Sequence, residues 1–283
     1  MDQALLLMHQ MMLADRSRMR AYGGALERTV GPGSIVVDVG AGTLALSMLA
    51  LERGAGHVYA IEADPEMAAV AERIIADNDV KDRVTLIQGD ARVVRLPRKA
   101  DVVVAEMMGN LGPEEDMMAV LGAVARRNLR PGGVVVPRGL TTTLAAIQFD
   151  GEGWGIWGRD FHGYRLDAVQ EYAEPRAQLH FFQREPVLLS EPVPLAGTVR
   201  LDVARPGEVH AIMGYFTAEL AEGITLSNFP SYPGCNWAVW IWPVRHTALA
   251  PGDEIRVTVH RPRESRAARV ATDWRLDCGI VRR

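Results

Sequence analysis

Hydrophobic and polar positions fall into two textures along this chain. Up to about Pro137, short apolar runs alternate with longer stretches whose apolar residues recur at helical spacing. Ser34 to Val39 reads as a buried strand, and Leu44 to Glu52 as the helix after it. Val58 to Ile61 is the next strand. A helix follows from about Pro65 to Asn78, with the proline in the first turn, where its missing N–H costs nothing. Val84 to Ile87 and Asp101 to Ala105 are further strands and Pro113 to Asn128 a further helix; Pro131-Gly132-Gly133 then turns the chain into a strand at Val134 to Val136. Strands and helices alternating through short links predict an α/β fold with a Rossmann-like, doubly wound parallel sheet. The apolar N-terminus, Ala4 to Met8 and Met11 to Ala14, predicts a helix ahead of it.

Beyond Pro137 the period shortens to that of strands. Alternating segments recur at Thr141 to Phe149, Thr198 to Val203, Ala211 to Phe216, Ala238 to Trp242, Glu254 to His260 and Val270 to Leu276. Pro206-Gly207, Pro233-Gly234 and Pro251-Gly252 punctuate them. This predicts antiparallel β architecture, a barrel or a sandwich, with Leu166 to Leu179 helical or irregular. The boundary is expected near residues 137 to 140, giving domains 1–137 and 138–283.

Composition narrows the classes. A chain of 283 residues with 48% hydrophobic content is long enough for two packed domains. Its two cysteines, Cys235 and Cys278, have no metal-ligand spacing around them, which argues against a disulfide framework, a structural zinc site or any metal requirement. A reduced, cytoplasmic setting is the expectation. The apolar N-terminus lacks a basic leader and a small-residue cleavage site, and no apolar run reaches the roughly 20 residues that span a bilayer. No membrane partner is therefore expected. A net charge of −4 disfavours nonspecific nucleic-acid binding and is compatible with a basic substrate.

The candidate chemistry gathers at strand ends. The first strand runs into Asp38-Val39-Gly40-Ala41-Gly42-Thr43, where glycines let the backbone approach a ligand and a helix N-terminus follows. Glu62, 20 residues after Gly42, ends the second strand, where a carboxylate binds ribose hydroxyls. Gly89-Asp90 end the third, a place from which an adenine edge is read. A nicotinamide enzyme uses the same device, with Ala45 as the last small residue. Against it, Asp38 would repel a pyrophosphate. A Rossmann-like fold without a ligand is the third reading.

Met11 to Arg18 with His9 ahead and Tyr22 after, Val37 to Thr43, Tyr59 to Ala63, Glu106-Met107-Met108-Gly109 with Glu115 nine positions after Glu106, and Leu226 to Pro230 followed by Cys235-Asn236-Trp237 occur in that order. Together they resemble the motifs of the protein arginine methyltransferases, a family of class I S-adenosylmethionine-dependent enzymes, along nearly the whole chain. The resemblance implies lid helices before the Rossmann-like cofactor domain, and a β-barrel-like domain for substrate and dimerisation. It implies that His9 and Met12 line S-adenosylmethionine, Arg18 binds its carboxylate, Gly40 and Gly42 underlie its amino acid part, Glu62 holds the ribose, and Met117 packs near the adenosine; Asp38, the acid such enzymes place before the glycines, belongs to the same cofactor site. Gly89 and Asp90 are assigned to the adenine side, because Arg92 stands where the family carries a glutamate. S-adenosylhomocysteine would be the product.

Glu106 and Glu115 would clamp a guanidinium and hold one nitrogen for in-line attack on the sulfonium methyl. Asp15 and Asn236 complete the implied catalytic set, and Asn236, replacing the family's histidine, is no base near pH 7. Leu44 replaces the third glycine, which bears on where the following helix starts. Three departures bear on the acceptor: Asn110 to Pro113 replace an aromatic wall, Leu5 to Leu7 replace an aromatic lid motif, and Asn236 replaces the loop histidine. Three functions remain open here: guanidino N-methylation of a protein, a peptide or free arginine; methylation of another small molecule in a pocket lined by some of Trp154, Trp157, Trp237, Trp240 and Trp242; and a non-catalytic binding module. The resemblance also implies a homodimer, with an arm around Trp154 to Glu174.

Overall fold

The computed structural model describes residues 3–234, 237–261 and 274–282. The chain divides into two compact units. One comprises Met1–Met108, Asp116–Leu140 and Ala218–Leu226; the other comprises Gly109–Glu115, Thr141–Thr217 and Ser227–Arg283.

The first unit opens with helices α1 (Gln3–Ala14) and α2 (Arg16–Thr29). They are separate helices because Asp15 leaves helical geometry to cap α2, its side chain accepting from the Arg18 N–H. Then follow β1 (Ile35–Val39), α3 (Ala45–Glu52), β2 (His57–Glu62), α4 (Pro65–Asp77), β3 (Val84–Gln88), β4 (Ala100–Ala105), α5 (Met117–Asn128) and β5 (Leu129–Val136). The sheet has the order β3-β2-β1-β4-β5. Every pairing in it is parallel, Val37 standing between Tyr59 on one side and Val103 on the other. β1 is buried along its whole length, Asp38 included, as a central strand is in a sheet covered on both faces. The doubly wound sheet expected from the alternation is what forms.

Two boundaries differ from expectation, each for a backbone reason. Leu44 is not in α3 but caps it in the left-handed region (φ 63), a conformation glycine adopts without strain. Leu44 is fully buried, so packing of its side chain offsets the strained backbone. α5 begins at Met117 and not at Pro113, because Asp116 also turns left-handed (φ 55) without a side-chain cap. Glu115 therefore precedes the helix and does not sit in its first turn.

The second unit is antiparallel. β6 (Gly139–Gln148) enters a seven-stranded sheet that contains the long strands Gly207–Ala221 and Val239–Leu249. Thr198–Asp202, Glu254–His260 and Arg275–Val281 form a three-stranded sheet. Leu144, Ile212 and Trp242 from the first sheet and Leu201, Ile255, Val257 and Leu276 from the second share one buried core. This is the barrel-like domain. The last strand is described at Arg275–Val281, and Val270 to Asp273 of the segment expected there lie outside the described residues. Leu166 to Leu179 resolves into a 3-10 turn, Asp167–Tyr172, and a short strand, Gln178–His180.

Candidate cofactor and methyl-transfer site

The ends of β1, β2 and β3 converge through the backbone. Gly40 and Ala41 both donate to the Ile61 carbonyl (2.9 and 3.0 Å), and Gly89 donates to the Glu62 carbonyl (2.8 Å). Gly40 and Gly42 have positive φ, 70 and 49. A Cβ on Gly42 would come within 2.7 Å of the His9 ring, so the lid histidine lies directly over the glycine turn. Glu62 is buried, and its two carboxylate oxygens accept from the Gly42 and Asp64 N–H groups, each at 2.8 Å. Asp64 is fixed in turn as the cap of α4, accepting from Glu66 and Met67. Two oxygens locked by backbone donors keep lone pairs in a defined direction, the preorganisation that binding a diol requires.

Asp38 is buried inside β1 and accepts from the Ser47 hydroxyl at 2.7 Å. Burial pushes its carboxyl up to about 6, against the pull of Ser47, and the Glu62 charge adds to the rise. A carboxylate held at such cost gains most from a cationic partner, and the ammonium of an amino acid ligand is one.

A second cluster in the same unit joins α2 to the end of β4. Tyr22 donates to the Ala105 carbonyl (2.8 Å), and Arg18, one helical turn earlier on the same face, donates to Glu106 Oε2 (2.6 Å). Arg18 is buried and its Nε lies 3.6 Å from Asp15. The other oxygen of Glu106 accepts from the Met108 N–H (3.2 Å). The structure thus brings Asp15, Arg18 and Glu106 together. Met12 is half-buried on α1, and Met117 is fully buried at the start of α5.

The Asp90 carboxylate is exposed and engaged in a bidentate pair with Arg92, which holds it below its usual range. The feature assigned to adenine is thus already tied to the residue that replaces the family's glutamate. Asn236 lies outside the described residues.

The loop after Glu106 is built by the antiparallel unit. Thr142 Oγ1 donates to the Leu111 carbonyl (2.8 Å), and Asn228 Nδ2 donates to the Asn110 carbonyl (2.6 Å). Glu114 is buried and accepts from the Leu111 N–H (2.6 Å) and from Trp240 Nε1 (2.8 Å). Glu115 is exposed. Sequence reasoning gave Glu114 no role of its own, and only its adjacency to Glu115 marked it.

One further polar group was not anticipated. His210 and His246 stack at 4.2 Å, and Glu208 Oε2 lies 3.3 Å from His210 Nε2 and 3.7 Å from His246 Nδ1. The trio has the composition of a metal site. The Phe149 N–H, however, donates to His210 Nδ1 (3.1 Å), which places the ring proton of the neutral form on Nε2, directed at Glu208. A metal at Nε2 would have to remove that proton while Nδ1 is already satisfied. His210 and Glu208 therefore form a hydrogen bond of the fold, with the His246 ring stacked on His210 and its Nε2 3.2 Å from the Trp154 carbonyl.

Comparison with known proteins bears on the reading of these clusters. Residues 36–133 match the methyltransferase domain family. The chain is 27% identical over 270 residues to protein arginine N-methyltransferase 1 of Chlamydomonas reinhardtii, covering 87% of this chain and 77% of that one. It is 43% identical over 135 residues to a probable histone-arginine methyltransferase CARM1 of rice, covering 47% of this chain and 25% of that one. Among solved structures, protein arginine methyltransferase 10 of Arabidopsis thaliana superposes with a TM-score of 0.77 at 23% identity, over 97% of this chain and 93% of that one. The Trypanosoma brucei PRMT1 enzyme–prozyme complex with AdoHcy gives 0.75 at 21% identity, over 97% and 98%.

Proposed function

We propose that this chain, a protein arginine methyltransferase-like, S-adenosylmethionine-dependent methyltransferase, N-methylates a guanidino group of arginine in a protein, in a peptide or as the free amino acid. The observation that carries the acceptor is Glu106, a carboxylate at the carboxyl end of a central parallel strand, fixed by Arg18 and by the Met108 N–H. Sites of this fold gather at that end of the sheet.

The residues of the first unit fit S-adenosylmethionine. Glu62 suits the ribose hydroxyls, Gly40 and Gly42 the close backbone approach, Asp38 the ammonium and Arg18 the carboxylate. His9, Met12, Gly89, Asp90 and Met117 are proposed to complete the surround. When bound, the cofactor supplies a methyl group on a positively charged sulfur. The chain's task is then to orient the acceptor. Glu106 and a carboxylate of the following loop, Glu115 by sequence position, grip the guanidinium, draw its charge away from the attacking nitrogen and remove its freedom. The nitrogen that gains the methyl releases a proton to a carboxylate or to water, with Asp15 and Asn236 in supporting roles.

Protein or peptide arginine is the favoured acceptor, in a cytoplasmic setting. Among the described residues no helix is long and apolar enough to cross a membrane. A homodimer is part of the proposal. Phe161, Tyr164 and Tyr172 on the 154–174 arm and Leu7, Met8 and Met11 on α1 are large and exposed, and pairing two chains would cover such surfaces. Turnover of labelled cofactor on basic peptides, free arginine and an arginine-free metabolite pool tests the acceptor. Incorporation into peptides with arginine and not into their lysine-substituted counterparts is expected; incorporation into the metabolite pool alone would replace this reading with a small-molecule methyltransferase.

A further inference from the structure

The arm that leaves β6 contains two 3-10 turns, Gly153–Gly158 and Asp167–Tyr172, and both are tied to His246 on the strand Val239–Leu249. His246 Nε2 lies 3.2 Å from the Trp154 carbonyl, and the His246 backbone N–H donates to Gln170 Oε1 (3.2 Å). Trp154 Nε1 donates to the Val244 carbonyl beside it (2.9 Å). Under the first turn the His246 ring stacks on His210 at 4.2 Å. A Cβ on Gly155 would come within 2.8 Å of His210 Nδ1, and one on Gly158 within 3.0 Å of His246 Nδ1. Bare backbone of the arm thus rests on the two Nδ1 atoms, which accounts for glycine at both positions.

Those two nitrogens are where protons add. With its Nε2 donating to the Trp154 carbonyl, neutral His246 keeps Nδ1 as a lone pair. That atom is buried, has no hydrogen-bond partner among the described residues and lies 3.7 Å from Glu208 Oε2. His210 Nδ1 accepts from the Phe149 N–H (3.1 Å), just where the arm leaves β6. A first proton, on His246 Nδ1, faces Glu208. A second, on His210 Nδ1, sets an N–H against the Phe149 N–H and one positive ring against another, with a single carboxylate for both. The surrounding charges hold no surplus of acid. Glu208 shares its surface cavity with Arg159, Arg165 and Arg245, which are matched by Asp160, Asp167 and Glu171. Glu152, on the arm, acts on His180.

We propose that the His210–His246 stack is a proton-operated latch: the neutral pair holds the arm on the sheet, and the pair carrying two protons releases it. Burial holds both rings below their ordinary value, the His246 charge lowers His210 further, and Glu208 opposes the shift in each. Docking is therefore complete above pH 6.5, where docked and released rings are both neutral, and weakens as pH falls below it, where released rings take up protons that docked rings resist. The latch is a property of one chain and is independent of the acceptor and of any pairing of chains.

The test is hydrogen exchange of the full chain at pH 7 and pH 5, read by mass spectrometry and corrected for intrinsic rates. Protection of residues 153–172 should fall by about a hundredfold or more at pH 5, while the sheet of Thr198–Asp202, Glu254–His260 and Arg275–Val281 keeps its own. H246F preserves the stacked ring and H246Q the bond to Trp154; each removes one of the two proton sites, so the fall should shrink to about tenfold. E208Q keeps an acceptor for His210 but removes the charge, which makes docked rings resist protons more, and should move release to higher pH. A merely structural role for these residues would loosen the arm equally at both pH values. An arm equally protected at pH 7 and pH 5 would overturn the proposal. So would a fall in H246F and H246Q as large as in wild type, an arm already loose at pH 7 in both, an unmoved release in E208Q, or loss of protection across the three-stranded sheet as well.

Discussion

The two units reach their polar chemistry by different routes. In the parallel unit most of the candidate polar groups are fixed by near neighbours, Glu62 by Gly42 and Asp64, Asp38 by Ser47, Asp15 by the Arg18 N–H of its own helix, with Glu106, held by Arg18 from 88 positions away, as the exception. In the antiparallel unit they are fixed by residues far away in sequence: Glu114 by Trp240, 126 positions on, and the Asn110 carbonyl by Asn228, 118 positions on. The difference teaches where side-chain direction comes from. A strand-to-helix turn aims its own residues, whereas a loop laid on an antiparallel sheet is aimed by whichever strand it meets.

That contrast can be broken at single residues. The largest effect is expected for Glu106→Gln. Loss of the carboxylate charge that grips the acceptor should cost two to three orders of magnitude in kcat, about 3–4 kcal/mol of transition-state stabilisation. The second unit should keep its melting behaviour. Steady-state kinetics with arginine peptides, alongside calorimetry, read this out.

Asn228→Ala should reach farther for a change of one amide. Asn228 accepts from the Phe216 N–H and donates to the carbonyls of Asn110 and Ala238, all from a fully buried position. Leaving those backbone groups unpaired should cost about 2–4 kcal/mol of stability, and releasing the 109–115 loop should lower turnover too. Denaturant melts measure the first and kinetics the second. A stable variant with normal turnover would mean that the loop is not aimed from a distance.

Glu62→Ala, the counterpart in the parallel unit, should stay local. Cofactor affinity should fall by about 1–3 kcal/mol with the loss of charge-assisted bonds to the ribose. An unchanged dissociation constant in calorimetry would remove Glu62 from the cofactor site.

The smallest effect lies in pH dependence, where the units should oppose each other. The folded-state carboxyl of Asp38 is raised from 3.8 to about 6, so its contribution to stability is complete below pH 3.8 and is lost as pH rises through about 6. His180, His210 and His246 are held below 6.5, first of all by burial. Glu152 faces His180 and Glu208 faces the other two, and these carboxylates offset the shift only in part. Their contribution is present above pH 6.5 and is lost as pH falls through the depressed folded values. Opposed slopes leave the global melting temperature nearly flat between pH 5 and 6.5. Hydrogen exchange corrected for intrinsic rates should separate them: on going from pH 6.5 to 5, β1 gains protection and Gly207–Ala221 loses it. Parallel changes in the two strands would contradict the assignment.

The same contrast explains what was legible in the sequence. The four strands β1 to β4 lie where their apolar runs place them, and Gly40, Gly42 and Glu62 meet as the spacing implies, because the information is local. The start of α5 was not legible. Glu114-Glu115-Asp116 has the acidic composition of a first helical turn, and only the left-handed backbone at Asp116 shows that the helix opens later. Nor could the sequence say which of two adjacent glutamates faces inward, since that depends on an indole N–H from a strand more than a hundred residues on. The cluster of Glu208, His210 and His246 depends likewise on the facing of two distant strands across a bulge between Val209 and Ala211.

The central claim is that the methyl group goes to a guanidino nitrogen. Tandem mass spectrometry of an arginine peptide after incubation with the enzyme and S-adenosylmethionine tests it most directly. A mass gain of methyl groups that fragments with the guanidino moiety, abolished by Glu106→Gln, is expected. Methyl groups found on a lysine, a terminus or a non-guanidino molecule, or formed equally well by Glu106→Gln, would contradict it.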